Sequence, residues 1–214
     1  MEHALTSEAI HHYCENHTTK ENELLYDLNR QTHLRTELPI MLSGHLQGSV
    51  LKMISQMIRP QYLLEIGTFT GYSALCLAEG LQENGKLITI DNHAEQAEIA
   101  KEYFLKSPHK DKIELLLGNA IEIIPTLDCL FDLVFIDADK INYTNYLDLV
   151  IDKVKSGGYI LADNVLYNGE ILHLESAGKN AKAMHNYNEK IVNDSRLDSV
   201  LLPLRDGIMI SRKK

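Results

Sequence analysis

From residue 61 onward, short apolar runs alternate with longer stretches in which apolar residues recur every three or four positions. Such alternation predicts a parallel sheet covered by helices on both faces. The candidate strands are 62–66 (YLLEI), 86–90 (KLITI), 112–117 (KIELLL), 131–136 (FDLVFI), 158–162 (GYILA), 199–204 (SVLLPL) and 207–211 (GIMIS). Between the fourth and fifth, Tyr143, Leu147, Val150 and Val154 recur in steps of four, three and four, forming one apolar stripe on a helix that Gly157 and Gly158 end. Residues 93–107 are good helix formers and stop before Pro108. Only RDG (205–207) separates the last two strands, and an Asp-Gly turn predicts an antiparallel hairpin. Residues 1–58 read as helices, with an apolar pattern over 38–58, expected to lid the sheet or to form a dimer contact. The expected organisation is one domain over 1–214: a helical extension (1–58) followed by an α/β core (59–214).

Composition narrows this picture. A chain of 214 residues suits a single domain with a sizeable core. Thirty Asp and Glu against 21 Lys and Arg give a net charge of -9, which disfavours non-specific binding to phosphate backbones and anionic membranes. The start has no basic segment followed by an apolar one, and no stretch approaches the roughly 20 apolar residues of a membrane helix, so a soluble cytoplasmic protein is expected. Cys14, Cys76 and Cys129 lie far apart and indicate neither a disulfide framework nor a zinc site. His11, His12 and His17 do not stack on one helix face and read as a solvated surface.

Four stretches carry candidate chemistry. In LLEIGTFTGYSAL (63–75) a strand turns through Gly67 and Gly71 into a helix, a place where backbone amides near Tyr72 and Ser73 can meet an anionic group. The glycine spacing is not that of a dinucleotide fingerprint. Asp91 ends the second strand, where an acid accepts hydrogen bonds from both hydroxyls of a ribose. An adenosine-type cofactor bearing a carboxylate or phosphate fits the two together, with GNA (118–120) placed to hold an adenine. At the end of the fourth strand, FIDADK (135–140) offers Asp137, Asp139 and Lys140; the fifth ends in LADNVLYNG (161–169), offering Asp163 and Asn164. Residues two apart on a strand face the same way, so Asp137 and Asp139 share a crevice if the extended geometry continues that far. Neighbouring strands lie about 4.8 Å apart. Asp137, Asp163 and Asn164 together make an oxygen-only set suited to Mg²⁺, or to Ca²⁺ or Mn²⁺, rather than zinc or copper. The competing reading is that acids and amides merely cap strand ends.

In that order and spacing, EIGTFTGYSA, FIDADKINYTNY, GGYILADNVLYNG and LPLRDGIMIS resemble the cation-dependent O-methyltransferases of the caffeoyl-CoA type and, more distantly, catechol O-methyltransferase. The resemblance runs from about residue 36 to the end. It implies a Rossmann-like class I S-adenosylmethionine-dependent methyltransferase fold with strand order 3-2-1-4-5-7-6, a divalent cation, and commonly a homodimer. Carried over by position, it implies Asp137, Asp163 and Asn164 as metal ligands. Ser43, Glu65, Gly67, Thr68, Ser73, Asp91, Ala120 and Asp139 correspond to donor-binding positions, and Asn168 to a substrate-side one. Tyr167 stands where plant members carry tryptophan, as an aromatic wall. Lys140 corresponds to the general base of the catechol enzyme; the alternative for it is a surface lysine paired with Asp139.

The implied reaction is in-line displacement at the methyl carbon by a substrate oxygen. The stretch 169–187 offers Lys179 and Lys182 but no arginine for CoA phosphates, so a small free catechol or hydroxycinnamate is the preferred acceptor over a CoA ester. A relative with these motifs methylates 5-hydroxyuridine in tRNA, which would need a basic surface. A nicotinamide-dependent oxidoreductase would use Asp91 but leaves Asp137, Lys140, Asp163 and Asn164 idle. A non-catalytic donor-binding module leaves Lys140 and the ligand set unexplained.

Overall fold

The computed structural model describes residues 7–214. Three helices come first: α1 (Glu8–Asn16), α2 (Glu23–Arg35) and α3 (Gly44–Ile58). The core then runs β1 (Tyr62–Ile66), α4 (Tyr72–Ala78), β2 (Lys86–Asp91), α5 (Ala94–Lys106), β3 (Ile113–Leu117), α6 (Ala120–Ile123), β4 (Phe131–Ile136), α7 (Tyr143–Val150), β5 (Val154–Asp163), α8 (Lys179–Val192), β6 (Leu197–Leu202) and β7 (Ile208–Lys213). The strands form one sheet in the order β3-β2-β1-β4-β5-β7-β6. β1 to β5 pair in parallel, whereas β7 lies antiparallel between β5 and β6. This is the predicted α/β architecture, with the predicted order.

Side-chain alternation divides the core in two. Leu64, Ile66, Val134, Ile136, Ile160 and Ala162 face Tyr143, Leu147, Met184 and Tyr187 of α7 and α8. Leu63, Leu87, Leu133, Phe135 and Leu161 face α4 and α5, joined by Leu28 of α2 and Leu51 of α3. The N-terminal helices therefore lid one face of the sheet, with α3 packed on α4. His11 and His17 spend their rings locally: His11 pairs with Glu15, and His17 stacks on Tyr13. Cys76 is buried, Cys129 half-buried, and all three cysteines are free. Among the described residues no helix is long and apolar enough to cross a membrane.

Two expectations need correction. Val154 belongs to β5 rather than to the preceding helix, and Gly157 and Gly158 lie inside that strand. The pairing with β4 slips from Phe131↔Val154 to Leu133↔Tyr159, a bulge that absorbs extra residues. Gly157 takes it at φ +81, a conformation costly for other residues, so the glycines shape the strand instead of ending a helix. The hairpin differs too: β6 stops at Leu202 and five residues, not three, connect it to β7. Pro203 lacks the N–H a further strand residue would use. The connection lies against the exit from β5, accepting Val165 N–H at Gly207 O (3.1 Å) and Leu166 N–H at Asp206 O (2.9 Å).

Candidate functional site

The carboxyl ends of β1, β2, β4 and β5 converge where an open α/β sheet binds ligands. On the β1–β2 side, the loop after β1 turns at Gly67 with φ +102, and a Cβ there would lie 1.9 Å from the Asp137 carbonyl oxygen. Close backbone packing onto β4 thus requires this glycine. Gly71 is likewise pressed on the Phe104 ring. The Asp91 carboxylate gathers the loop: Oδ2 accepts from Thr68 N–H (3.0 Å) and Phe69 N–H (2.7 Å), and Oδ1 from His93 N–H (2.8 Å). Beneath it, the Thr68 and Thr89 hydroxyls lie 2.6 Å apart, and Thr89 donates to Glu65 Oε2 at 2.5 Å.

Glu65 is fully buried, and its Oε1 has no hydrogen-bond partner. Burial pushes its carboxyl up to about 8, against the opposing Ser73 and Thr89 hydroxyls. A buried carboxylate oxygen left unsatisfied is costly, and a cationic ligand group is the partner that would offset it. Ser73 is buried at the start of α4, Ala120 is buried at the start of α6 under the Asn119 cap, and Ser43 is buried at the start of α3.

On the β4–β5 side, extended geometry ends at Ile136. Asp139 therefore lies past the alternation of the strand; it leads into the turn Lys140–Asn142, and its carboxylate accepts from Asn142 Nδ2 (2.6 Å) and the Tyr146 hydroxyl. Lys140 is 14% exposed and pairs with Asp137, not Asp139. Its Nζ donates to Asp137 Oδ1 (3.1 Å), Asn164 Oδ1 (2.7 Å) and the Tyr143 hydroxyl (2.7 Å), all three donors engaged. Asn164 follows β5 at φ +58, a left-handed conformation that asparagine tolerates, and its side-chain oxygen meets Lys140. The Tyr143 hydroxyl donates to Asp163 O at 3.0 Å.

Asp163 is buried; Oδ2 accepts from Gln47 Nε2 (2.7 Å) and Oδ1 from Asn164 N–H (2.8 Å). Burial, with the neighbouring Asp137 carboxylate, pushes Asp163 up to about 6. Among the described residues no group of three or more His, Cys, Asp or Glu side chains stands at metal-holding distance; the predicted set contributes two carboxylates and one amide. Its chemistry nevertheless suits a hard cation: Asp137 and Asn164 already direct oxygens at one positive charge.

Asn168 and Tyr167 lie on the loop after β5, both at positive φ. Asn168 N–H donates to Asp206 Oδ1 (2.5 Å), and the Tyr167 hydroxyl accepts from Asn180 Nδ2 (3.0 Å). Three participants escaped the sequence reading: Gln47, Arg205 and the hydroxyl of Tyr143, whose ring alone was placed, as core. The spacing of Lys140 and Tyr143, one helical turn apart, was the available signal for the last. A groove of about 730 Å³ opens beside this region between the N-terminal helices, edged by Tyr26, Leu42, Gly44, His45 and Arg205.

The family model described as O-methyltransferase matches residues 15–214. The chain belongs to the O-methyltransferase family. It is 30% identical to caffeoyl-CoA O-methyltransferase of Stellaria longipes, over 98% of this chain and 92% of that protein. Catechol O-methyltransferase domain-containing protein 1 of Mus musculus is 33% identical over 78% of this chain and 66% of its own length. Among solved structures, the SAH-bound methyltransferase of Podospora anserina superposes with a TM-score of 0.89 at 28% identity, over 97% of this chain and 94% of that one. The O-methyltransferase of Bacillus cereus in complex with SAH gives 0.89 at 26% identity, over 96% and 97%. The fold and family implied by the sequence motifs are thereby those of this O-methyltransferase.

Proposed function

We propose that this O-methyltransferase acts as a single domain transferring the methyl group of S-adenosylmethionine to a hydroxyl of a small catechol or hydroxycinnamate-type acceptor, assisted by a divalent cation. The observation that carries the reading is the placement of Lys140 Nζ within 3.1 Å of Asp137, Asn164 and Tyr143, beside buried Asp163. A donor-binding module would have no use for this cluster.

Glu65, with its unpartnered buried oxygen, would face a cationic part of the donor, and Asp91 its ribose; SAH in the Podospora and Bacillus relatives supports an adenosyl ligand. Ser43, Gly67, Thr68, Ser73, Ala120 and Asp139 would complete the donor site. Bound there, S-adenosylmethionine would supply the methyl electrophile for the acceptor oxygen, with S-adenosylhomocysteine as the leaving group. Asp137, Asp163 and Asn164 would hold the cation, Mg²⁺ first, which would supply the charge that makes an acceptor hydroxyl more acidic. Lys140, once it has given up one of the three protons it donates here, would take the hydroxyl proton, steered by Tyr143 and Asn164. Tyr167 and Asn168 border the acceptor, and positioning supplies the remainder.

A homodimer forming through the N-terminal helices accords with their exposed Ile40, Met53 and Met57. The net charge of -9 favours the small acceptor over tRNA. The deciding assay combines purified protein, S-adenosylmethionine and a catechol panel with and without Mg²⁺, followed by unmodified tRNA. Catechol methylation lost on chelation and restored by Mg²⁺ is expected. Turnover surviving exhaustive chelation would sink the cation's role, and methylation of tRNA alone would replace the acceptor.

A further inference from the structure

Gln47 lies fully buried in α3, between Asp163 and Arg205. Its Nε2 donates to Asp163 Oδ2 at 2.7 Å, and its Oε1 accepts from Arg205 Nη1 at 2.9 Å. The orientation of the amide is dictated by chemistry, because a carboxylate accepts and a guanidinium only donates. Arg205 sits at φ +50 in the connection between β6 and β7 and also donates to the carbonyls of Leu42 (3.3 Å) and Ser43. One arginine thus joins the segment before α3 to the amide that touches Asp163.

We propose that Gln47 is a positioning residue for Asp163, held in place by Arg205, so that the N-terminal helices help build the cation site. The inference rests on the reading of Asp163 as a cation ligand. Asp163 has two carboxylate oxygens: Asn164 N–H fixes Oδ1 and Gln47 fixes Oδ2. Both torsions of the side chain are set before any ligand arrives, and ordering it later would cost conformational entropy. Replacing Gln47 by an apolar residue leaves one oxygen of a buried carboxylate undirected. Removing Arg205 leaves the buried amide oxygen without its donor and the Gln47 side chain anchored only through Asp163.

The test is Mn²⁺ titration, followed by electron paramagnetic resonance, of wild type, Gln47→Leu, Arg205→Met and the double variant, with S-adenosylmethionine affinity measured in parallel. Gln47→Leu should weaken Mn²⁺ binding by about 10- to 100-fold, the usual effect of a partner behind a metal ligand. Donor affinity should change much less, whereas a merely structural defect would weaken both alike. Arg205→Met should show a smaller loss, and the double variant should lose less than the product of the two, since Arg205 acts through Gln47. Wild-type Mn²⁺ affinity in Gln47→Leu, or independent losses in the pair, would overturn the inference. Should Gln47→Leu not fold, unchanged affinity in Arg205→Met overturns it instead. A wild type that binds no Mn²⁺ would refute the cation reading itself.

Discussion

The two halves of the site solve the problem of buried acid differently. In the donor half, Glu65 accepts from the Thr89 hydroxyl at Oε2 and has no partner at Oε1, and burial raises it to about 8. In the half proposed to hold a cation, the cation half, Asp163 is equally enclosed and also faces Asp137, yet rises only to about 6, because Gln47 donates to it and Lys140 and Arg205 stand near. The hydrogen bonds around Asp91 and Glu65 in the donor half are local, all within residues 65–93. The cation half draws on residues 116 positions apart for Gln47 and Asp163, and 158 apart for Gln47 and Arg205. Positive charge is built into one half, while the other holds an acid whose missing partner is a ligand's to supply.

The largest effect expected from this asymmetry is on stability. Glu65 ordinarily titrates at 4.5 and in the folded protein at about 8, so its contribution is fully present below 4.5 and is lost as pH rises towards 8. At about 1.4 kcal/mol per unit, unfolding free energy falls by up to roughly 5 kcal/mol across that window from this group alone. Glu65→Gln should flatten the dependence in denaturant titrations at pH 5, 6.5 and 8; parallel slopes in both proteins would show that Glu65 is not the group responsible. The next effect lies in the cation half. Asp163→Ala should reduce methyl transfer by at least about 10³-fold, some 4 kcal/mol of barrier, with donor binding nearly intact. Equal loss of donor affinity would mean that the halves are not separable.

The same contrast explains what the sequence makes legible. β1 and β4 are short, mostly apolar runs interrupted by a single acid each, Glu65 and Asp132, and their bounds are the ones the residues predict. β5 begins with Val154 at helical spacing and contains a glycine bulge, so its first four residues read as the end of a helix. The loop at Gly67 and the acid at Asp91 are read from neighbours in the chain. Asp137, Asp163 and Asn164 are readable because strand ends come together in a parallel sheet. Gln47 is not, since a polar residue on an amphipathic helix normally marks the solvent face, and only the tertiary fold turns it inward. Arg205 is hidden similarly within a turn motif that explains itself locally.

Two smaller effects divide the roles of Lys140 and its neighbour. Lys140→Ala should lower kcat by about 10²-fold, within the usual range for a general base, and leave donor affinity unchanged. A pH–rate profile identical to that of wild type, merely scaled by some other defect, would remove its proton-transfer role. Tyr143→Phe is subtler, because it deletes one oxygen and keeps the ring that packs edge-on to Tyr187 at 5.4 Å. That oxygen receives a hydrogen bond from Lys140 and gives one to the Asp163 carbonyl, tying the proposed base to the strand end that bears the proposed cation ligand. Without it the ammonium keeps Asp137 and Asn164 but loses its third anchor, and kcat should drop about three- to tenfold, consistent with the loss of one hydrogen bond of about 1 kcal/mol. A KM for the acceptor that stays constant would place the effect in the alignment of Lys140. An unchanged kcat would reduce Tyr143 to the packing role its place in the apolar stripe first suggested.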